Sequence, residues 1–216
     1  MAKTSTVAPA QSRALGRIAE FAESRGLYLV GGTALAFYLG HRTSADLDLF
    51  GLERDVDFAA FKRLARKHTD VRVVRETDAV LKLRIGSVPV DIVRYPYPPL
   101  EKPKPGIAGF PVASLRDIAA MKLSAISTRG IRRDFWDLDE ILKSSLSLKD
   151  ALLAYRKRFK RAESDLYHVI RSLTFFDDAE KDPRLPVGLT GAHWEAIKKN
   201  MAAESVRALK LFAGRR

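Results

Sequence analysis

The sequence predicts an α+β protein: a mixed-sheet α/β half comes first and a helical half follows. Three observations carry that expectation. Short apolar or alternating runs of strand character recur between residues 27 and 93, with a side-chain period near two. Five prolines between Tyr95 and Gly106 then exclude regular structure from that stretch. Beyond it, apolar positions recur at helical spacing. Residues 1–106 are therefore read as one domain and 107–216 as a second. A chain of 216 residues is long for one ordinary domain and can bury a core without covalent staples.

Taken in order, Gln11–Arg25 reads as a helix with Leu15, Ile18, Ala19 and Ala22 on one face, stopped by Gly26. Leu27–Val30 reads as a buried strand running into Gly31-Gly32, and Thr33–Leu39 as the next helix. Asp46–Phe50 alternates acid with apolar, as a strand with one buried face does. Asp57–His68 is an amphipathic helix. Val71–Arg75, Val80–Ile85 and Val88–Val93 are strands, the last two joined by a hairpin at Gly86-Ser87. Ser114 is expected to cap a helix that runs to Thr128, ahead of Gly130. Asp134–Leu142, Leu148–Phe159, Glu163–Leu173 and Gly191–Phe212 continue the helical series. Tyr28, Phe37, Tyr38 and Trp136 are expected in the core.

The net charge of +12, from 38 basic and 26 acidic residues, favours polyanionic partners. Residues 1–100 carry 15 basic and 11 acidic side chains and residues 101–216 carry 23 and 15, which makes the second half the better candidate for a polyanion surface. No cysteine is present, which excludes a disulfide framework and a thiolate metal site. The leading MAKTSTVAPA has one lysine and no apolar run, unlike a secretion signal. No apolar stretch approaches the roughly 20 residues of a membrane span. A soluble, cytoplasmic protein with no membrane partner is expected.

Candidate chemistry begins at Gly31-Gly32-Thr33. Glycines at a strand-to-helix turn allow positive φ and close approach, and the following amides can hold phosphate. A tight turn without a ligand fits the same residues. Asp46 and Asp48 tip the balance. Two apart on a strand, they share a face and repel unless a cation lies between them. Magnesium or manganese suits such oxygen donors. On its own, a D-x-D pair also fits a solvent-facing edge strand. Asp91, within the apolar run Val88–Val93, needs a partner, and a metal would supply one; otherwise it marks a strand end at the sheet edge. Lys122 interrupts the apolar helix AAMKLSAI, so it is either buried and paired or snorkels to water. Arg129, Arg132 and Arg133 form either a phosphate contact or a solvated patch. Asp134, at a helix start, fits a cap. Arg156–Arg161 and Lys198-Lys199 read as a solvated face that would meet phosphates if RNA binds.

G-G-T, then D-L-D, then an Asp on a later strand resembles the nucleotidyltransferase superfamily with the DNA-polymerase-β-like fold. VGGTALAFYLGHRTSADLDLF, with Lys122 and the block RGIRRDFWDL from Arg129, is most similar to the AbiEii/AbiGii-type nucleotidyltransferase toxins. The resemblance spans about Leu27 to Leu142. It departs from many superfamily members in having Thr33 where they carry serine, which keeps a hydroxyl for phosphate.

The resemblance implies that the first domain is the nucleotidyltransferase fold, that the helical domain completes the nucleotide cleft, and that an NTP is the substrate. Asp46, Asp48 and Asp91 would hold metal. Gly31, Gly32, Thr33, Arg42 and Lys122 would bind the nucleotide. Lys122 would grip its triphosphate, and Asp134, with Asp137, would orient that lysine. It further implies transfer of NMP to tRNA or another RNA, a toxin role and a cognate antitoxin. A protein or small-molecule acceptor such as an antibiotic is the second enzyme reading. A non-catalytic nucleotide- or RNA-binding protein on the same fold is the third.

Overall fold

The computed structural model describes residues 7–213; Met1–Thr6, the start of the segment read for secretion, lie outside them. The chain divides into two compact units after Ser114, later than the Gly106 boundary suggested by the prolines. The reason is a short pairing that hydropathy does not reveal. Lys104–Pro105 (β6) pairs with Pro111–Val112 (β7), and β7 adds in parallel to Tyr28–Val30 (β1). Part of the proline stretch is thus a strand. Pro105 is tolerated because β6 is the sheet edge, where a missing N–H costs no ladder bond.

The first unit opens with two helices, α1 (Pro9–Arg17) and α2 (Ala19–Arg25). The single helix expected there is broken at Ile18, whose φ/ψ of −117°/10° leaves the helical region. Gly26 takes the left-handed conformation at the end of α2, as the stop signal implied. After β1 come α3 (Gly31–Leu39), β2 (Leu47–Leu52) and α4 (Phe58–Lys67). Next are β3 (Val71–Glu76), β4 (Val80–Ile85) and β5 (Val88–Tyr95). The sheet order is β3-β4-β5-β2-β1-β7-β6, with β2 and β5 parallel and β2 and β1 antiparallel. The Asp57 side chain accepts the Ala59 N–H and caps α4.

Alternation gives the sheet its two faces. Leu47, Leu49, Leu81, Leu83, Val90 and Ile92 are buried, each contributing roughly 1.5–3 kcal/mol. The intervening residues of β2, β4 and β5 are half-buried or exposed. Phe37, expected in the core, is 41% exposed, whereas Tyr28 and Trp136 are buried.

The second unit is helical: α5 (Leu115–Thr128), α6 (Arg132–Ser144), α7 (Leu148–Phe159), α8 (Glu163–Ser172), α9 (Asp177–Glu180) and α10 (Gly191–Ala213). The one-turn α9 has no counterpart in the sequence reading, being too short for a periodicity. Arg158 of α7 forms a fully buried ion pair with Asp117 of α5. Phe135, Phe176 and Trp194 meet ring to ring in this core. No helix among the described residues is long and apolar enough to cross a membrane.

Candidate active site

In the first unit, strand register brings two of the expected acids together. Asp48 lies opposite Asp91 in the parallel β2–β5 ladder, so their side chains sit side by side on one face. Both are half-buried, while their strand neighbours Leu47, Leu49, Val90 and Ile92 are buried. Asp46 stands one residue ahead of β2 and is exposed. β5 is an interior strand, which removes the sheet-edge explanation for Asp91. Its partner here is a lysine: Lys82, opposite it on β4, places Nζ against Asp91 Oδ2.

The three aspartates offer only hard oxygen donors, which is the chemistry magnesium and manganese take. Among the described residues, the trio whose potential donor atoms lie mutually within 4.8 Å is instead Asp139, Glu140 and His193. Lys143 already engages two of that trio, at 2.5 Å from Asp139 and 3.6 Å from Glu140.

The glycines are required by what lies over them. Gly31 has φ +69°, and a Cβ there would fall 2.2 Å from Asp48 Oδ2. A Cβ on Gly32 would fall 2.6 Å from Arg42 Nη2 and 2.9 Å from Ser44 Oγ. The turn therefore has a carboxylate against its first residue and a guanidinium against its second. No side chain caps the start of α3, which leaves its amides and dipole available to an anion. Gly31→Ala meets both backbone strain and the carboxylate, and should cost roughly 1–3 kcal/mol in stability and displace Asp48. Gly32→Ala meets the mobile end of an arginine and should cost less. Thermal melting of the two variants checks the order; equal melting temperatures would contradict it.

The Thr33 hydroxyl has partners within the fold. The residue is 1% exposed, and its hydroxyl donates to the Asp46 carbonyl at 2.5 Å. The buried Gln11 side chain donates to Thr33 Oγ1 at 3.3 Å and to the Ser44 carbonyl at 2.8 Å. The Thr33 hydroxyl thus anchors the loop before β2. Gln11 was missed by sequence reasoning. Its signal is a polar residue in the apolar series with Ala14, Leu15 and Ile18.

In the second unit, Lys122 is buried and paired rather than snorkelling. Its Nζ lies 3.0 Å from Asp134 Oδ1 and 2.7 Å from Asp137 Oδ2. Both carboxylates are at most 1% exposed. Arg129 adds a two-pronged contact, Nε to Asp134 Oδ2 at 2.8 Å and Nη2 to Oδ1 at 3.0 Å. Ile131, not Asp134, is the N-cap of α6, and Asp134 stands in its first turn, where its charge also suits the helix dipole. Arg132 is also engaged within the unit, donating to the Asp182 and Arg184 carbonyls, while Arg133 is exposed.

Burial by itself raises the pKa of Asp134. The hydrogen bonds from Arg129 and the charge of Lys122 more than reverse this and hold the carboxyl below the usual carboxylate range. A group depressed on folding contributes stability above its unfolded pKa and loses it as pH falls through the folded one. The second unit should therefore hold its stability through the neutral range and lose this contribution only under acid conditions below the ordinary Asp titration. Urea melts at descending pH check this; a loss beginning near neutrality would contradict it.

Comparison with known proteins adds the following. A family model described as nucleotidyl transferase AbiEii toxin, type IV TA system, matches residues 13–209. An uncharacterised protein of Aquifex aeolicus (strain VF5) is 31% identical over 192 residues, 88% of this chain and 91% of that one. The solved structure of MenT4, a nucleotidyltransferase toxin from Mycobacterium tuberculosis H37Rv, aligns with a TM-score of 0.55 at 18% identity. That alignment covers 93% of this chain and 86% of MenT4, a likeness of fold.

Proposed function

Because the chain belongs to the AbiEii family of nucleotidyltransferase toxins, we propose that it transfers NMP from an NTP to a hydroxyl of an RNA acceptor, of the tRNA class. The modification arrests growth, and a cognate antitoxin opposes it. The observation that supports the chemistry best is the in-register pair Asp48 and Asp91 beside Gly31.

Each residue then has a defined task. The amides of Gly31, Gly32 and Thr33 at the uncapped start of α3, with the Arg42 guanidinium, bind phosphate oxygens. Lys122 directs two of its three N–H groups to Asp134 and Asp137 and offers the third to the triphosphate. Asp134 and Asp137 are positioning residues for that lysine. Asp91 accepts the proton of the acceptor hydroxyl at a carboxylate oxygen. The hydroxyl oxygen bonds to the α-phosphorus as the bond to the leaving oxygen breaks, and pyrophosphate departs. A divalent cation, magnesium or manganese, held by Asp46, Asp48 and Asp91 would neutralise charge on the attacking and leaving oxygens. Placement and electrostatics supply most of the rate gain.

Incubating the protein with each α-labelled NTP, magnesium and total RNA tests the reading. Label in the RNA fraction is expected. Label on protein or on a small molecule such as an antibiotic would reassign the acceptor. Nucleotide binding without transfer to anything would reduce the chain to a binding protein.

A further inference from the structure

The open face of the sheet carries a second feature besides the acids. Arg72, Arg75, Lys82 and Arg84 are all exposed. On β3 and β4, Arg72 stands opposite Arg84, and Arg75 opposite Lys82. Like charges directly opposite one another destabilise a sheet. Charge on an edge strand guards against aggregation, which accounts for β3. It does not account for β4, which is interior.

The register continues from these cations to the acids. Arg75 pairs with Lys82, Lys82 with Asp91, and Asp91 with Asp48, in one row across four strands. With strands about 4.8 Å apart, the row covers roughly 14 Å. Arg72 and Arg75 have no acidic partner among the described residues, and Arg84 donates only to the Ser87 carbonyl at 3.0 Å. In the helical unit some basic residues are taken up by acidic partners, while Arg133, Lys157, Lys160 and Lys199 are exposed. Arg156 pairs with Glu163, Arg158 with Asp117, and Lys198 with Glu180 and Glu195. On the open sheet face, Phe50 and Tyr95 add touching rings with centroids 4.5 Å apart, a surface on which bases stack.

We propose that this β3–β4 ladder of unpaired arginines is the docking track for the phosphate backbone of a single-stranded nucleic-acid acceptor, running along the row that ends on Asp91 and Asp48. A polyanion relieves the repulsion between the opposed cations. Its terminal hydroxyl is thereby led to the carboxylates. The inference rests on the proposed transfer to RNA and assigns where that RNA lies.

The test uses the full chain with Arg72→Ala, Arg75→Ala and Arg84→Ala combined. The probe is a fluorescein-labelled single-stranded RNA with a free 3′ hydroxyl, followed by anisotropy at several salt concentrations without NTP. The variant should bind at least about tenfold more weakly near 0.1 M salt, and its log–log salt slope should fall by about 2, roughly 0.7 per lost contact. Its binding of a fluorescent NTP analogue should match that of the unaltered chain. Equal RNA affinity and slope would overturn the assignment. So would loss of binding in Lys157→Ala/Lys160→Ala instead, or binding of the unaltered chain to anionic vesicles but not to RNA. RNA binding through these arginines without any nucleotide transfer would sustain the track and sink the proposed reaction. Transfer to RNA with unchanged binding in the triple variant would do the reverse.

Discussion

Asp48→Asn should reduce nucleotide transfer by on the order of a thousandfold or more while leaving the protein folded. A thousandfold is about 4 kcal/mol of transition-state stabilisation, within what a metal-holding carboxylate supplies. The substitution keeps the shape of the side chain over Gly31, so the turn is not invaded. It removes the charge that lies beside Asp91. Initial rates with α-labelled NTP measure the loss, and circular dichroism checks the fold. A folded Asp48→Asn protein within tenfold of the unaltered rate would refute the role given to this residue.

The largest stability effect should come from Lys122→Met. Breaking a buried ion pair by removing one partner costs about 3–5 kcal/mol, because it strands the other charge. Here one cation serves two carboxylates that are at most 1% exposed. Arg129 would still cover Asp134, so the lost ion pairing falls chiefly on Asp137. The second unit should melt at markedly lower urea concentration. Lys122→Met/Asp137→Leu, which removes both charges, should recover part of the loss. Melting of the single variant at the same midpoint as the unaltered chain would contradict the buried network. The double variant also separates stability from chemistry: refolded yet unable to bind NTP tightly, it would isolate the phosphate contact proposed for Lys122.

The local signals of the fold were legible in the sequence. Alternation in DLDLF announced a half-buried strand, and β2 has that pattern from Leu47 on; VPVDIV read as an apolar run, and β5 instead alternates buried with half-buried residues, Asp91 among the latter. That Asp48 and Asp91 are neighbours could not be read locally. It depends on the parallel register of β2 against β5, a pairing between segments distant in sequence. The domain boundary moved because β6 and β7 are two residues each, too short to show a period. The break at Ile18 was likewise invisible, since both helices keep one apolar series.

Charge was the coarsest signal. Counting favoured the second half as the polyanion surface, but a count ignores partners. Arg158 is fully buried against Asp117, and Lys198 is shared by two glutamates. Among the described residues, exposed arginines without an acidic partner occur in both halves: Arg72 and Arg75 in the first, Arg133 and Arg161 in the second. Thr33 shows the same limit on one residue. A hydroxyl after two glycines reads as a phosphate contact, and nothing local in the sequence shows that it donates to the Asp46 carbonyl.

The most direct test of the central claim places the label in turn on the α- and the γ-phosphate of the NTP, with RNA as acceptor. Nucleotidyl transfer predicts that the α label joins the RNA and the γ label is released as pyrophosphate, both dependent on Asp48. A γ label that joins the acceptor, or an α label that never does, would contradict it.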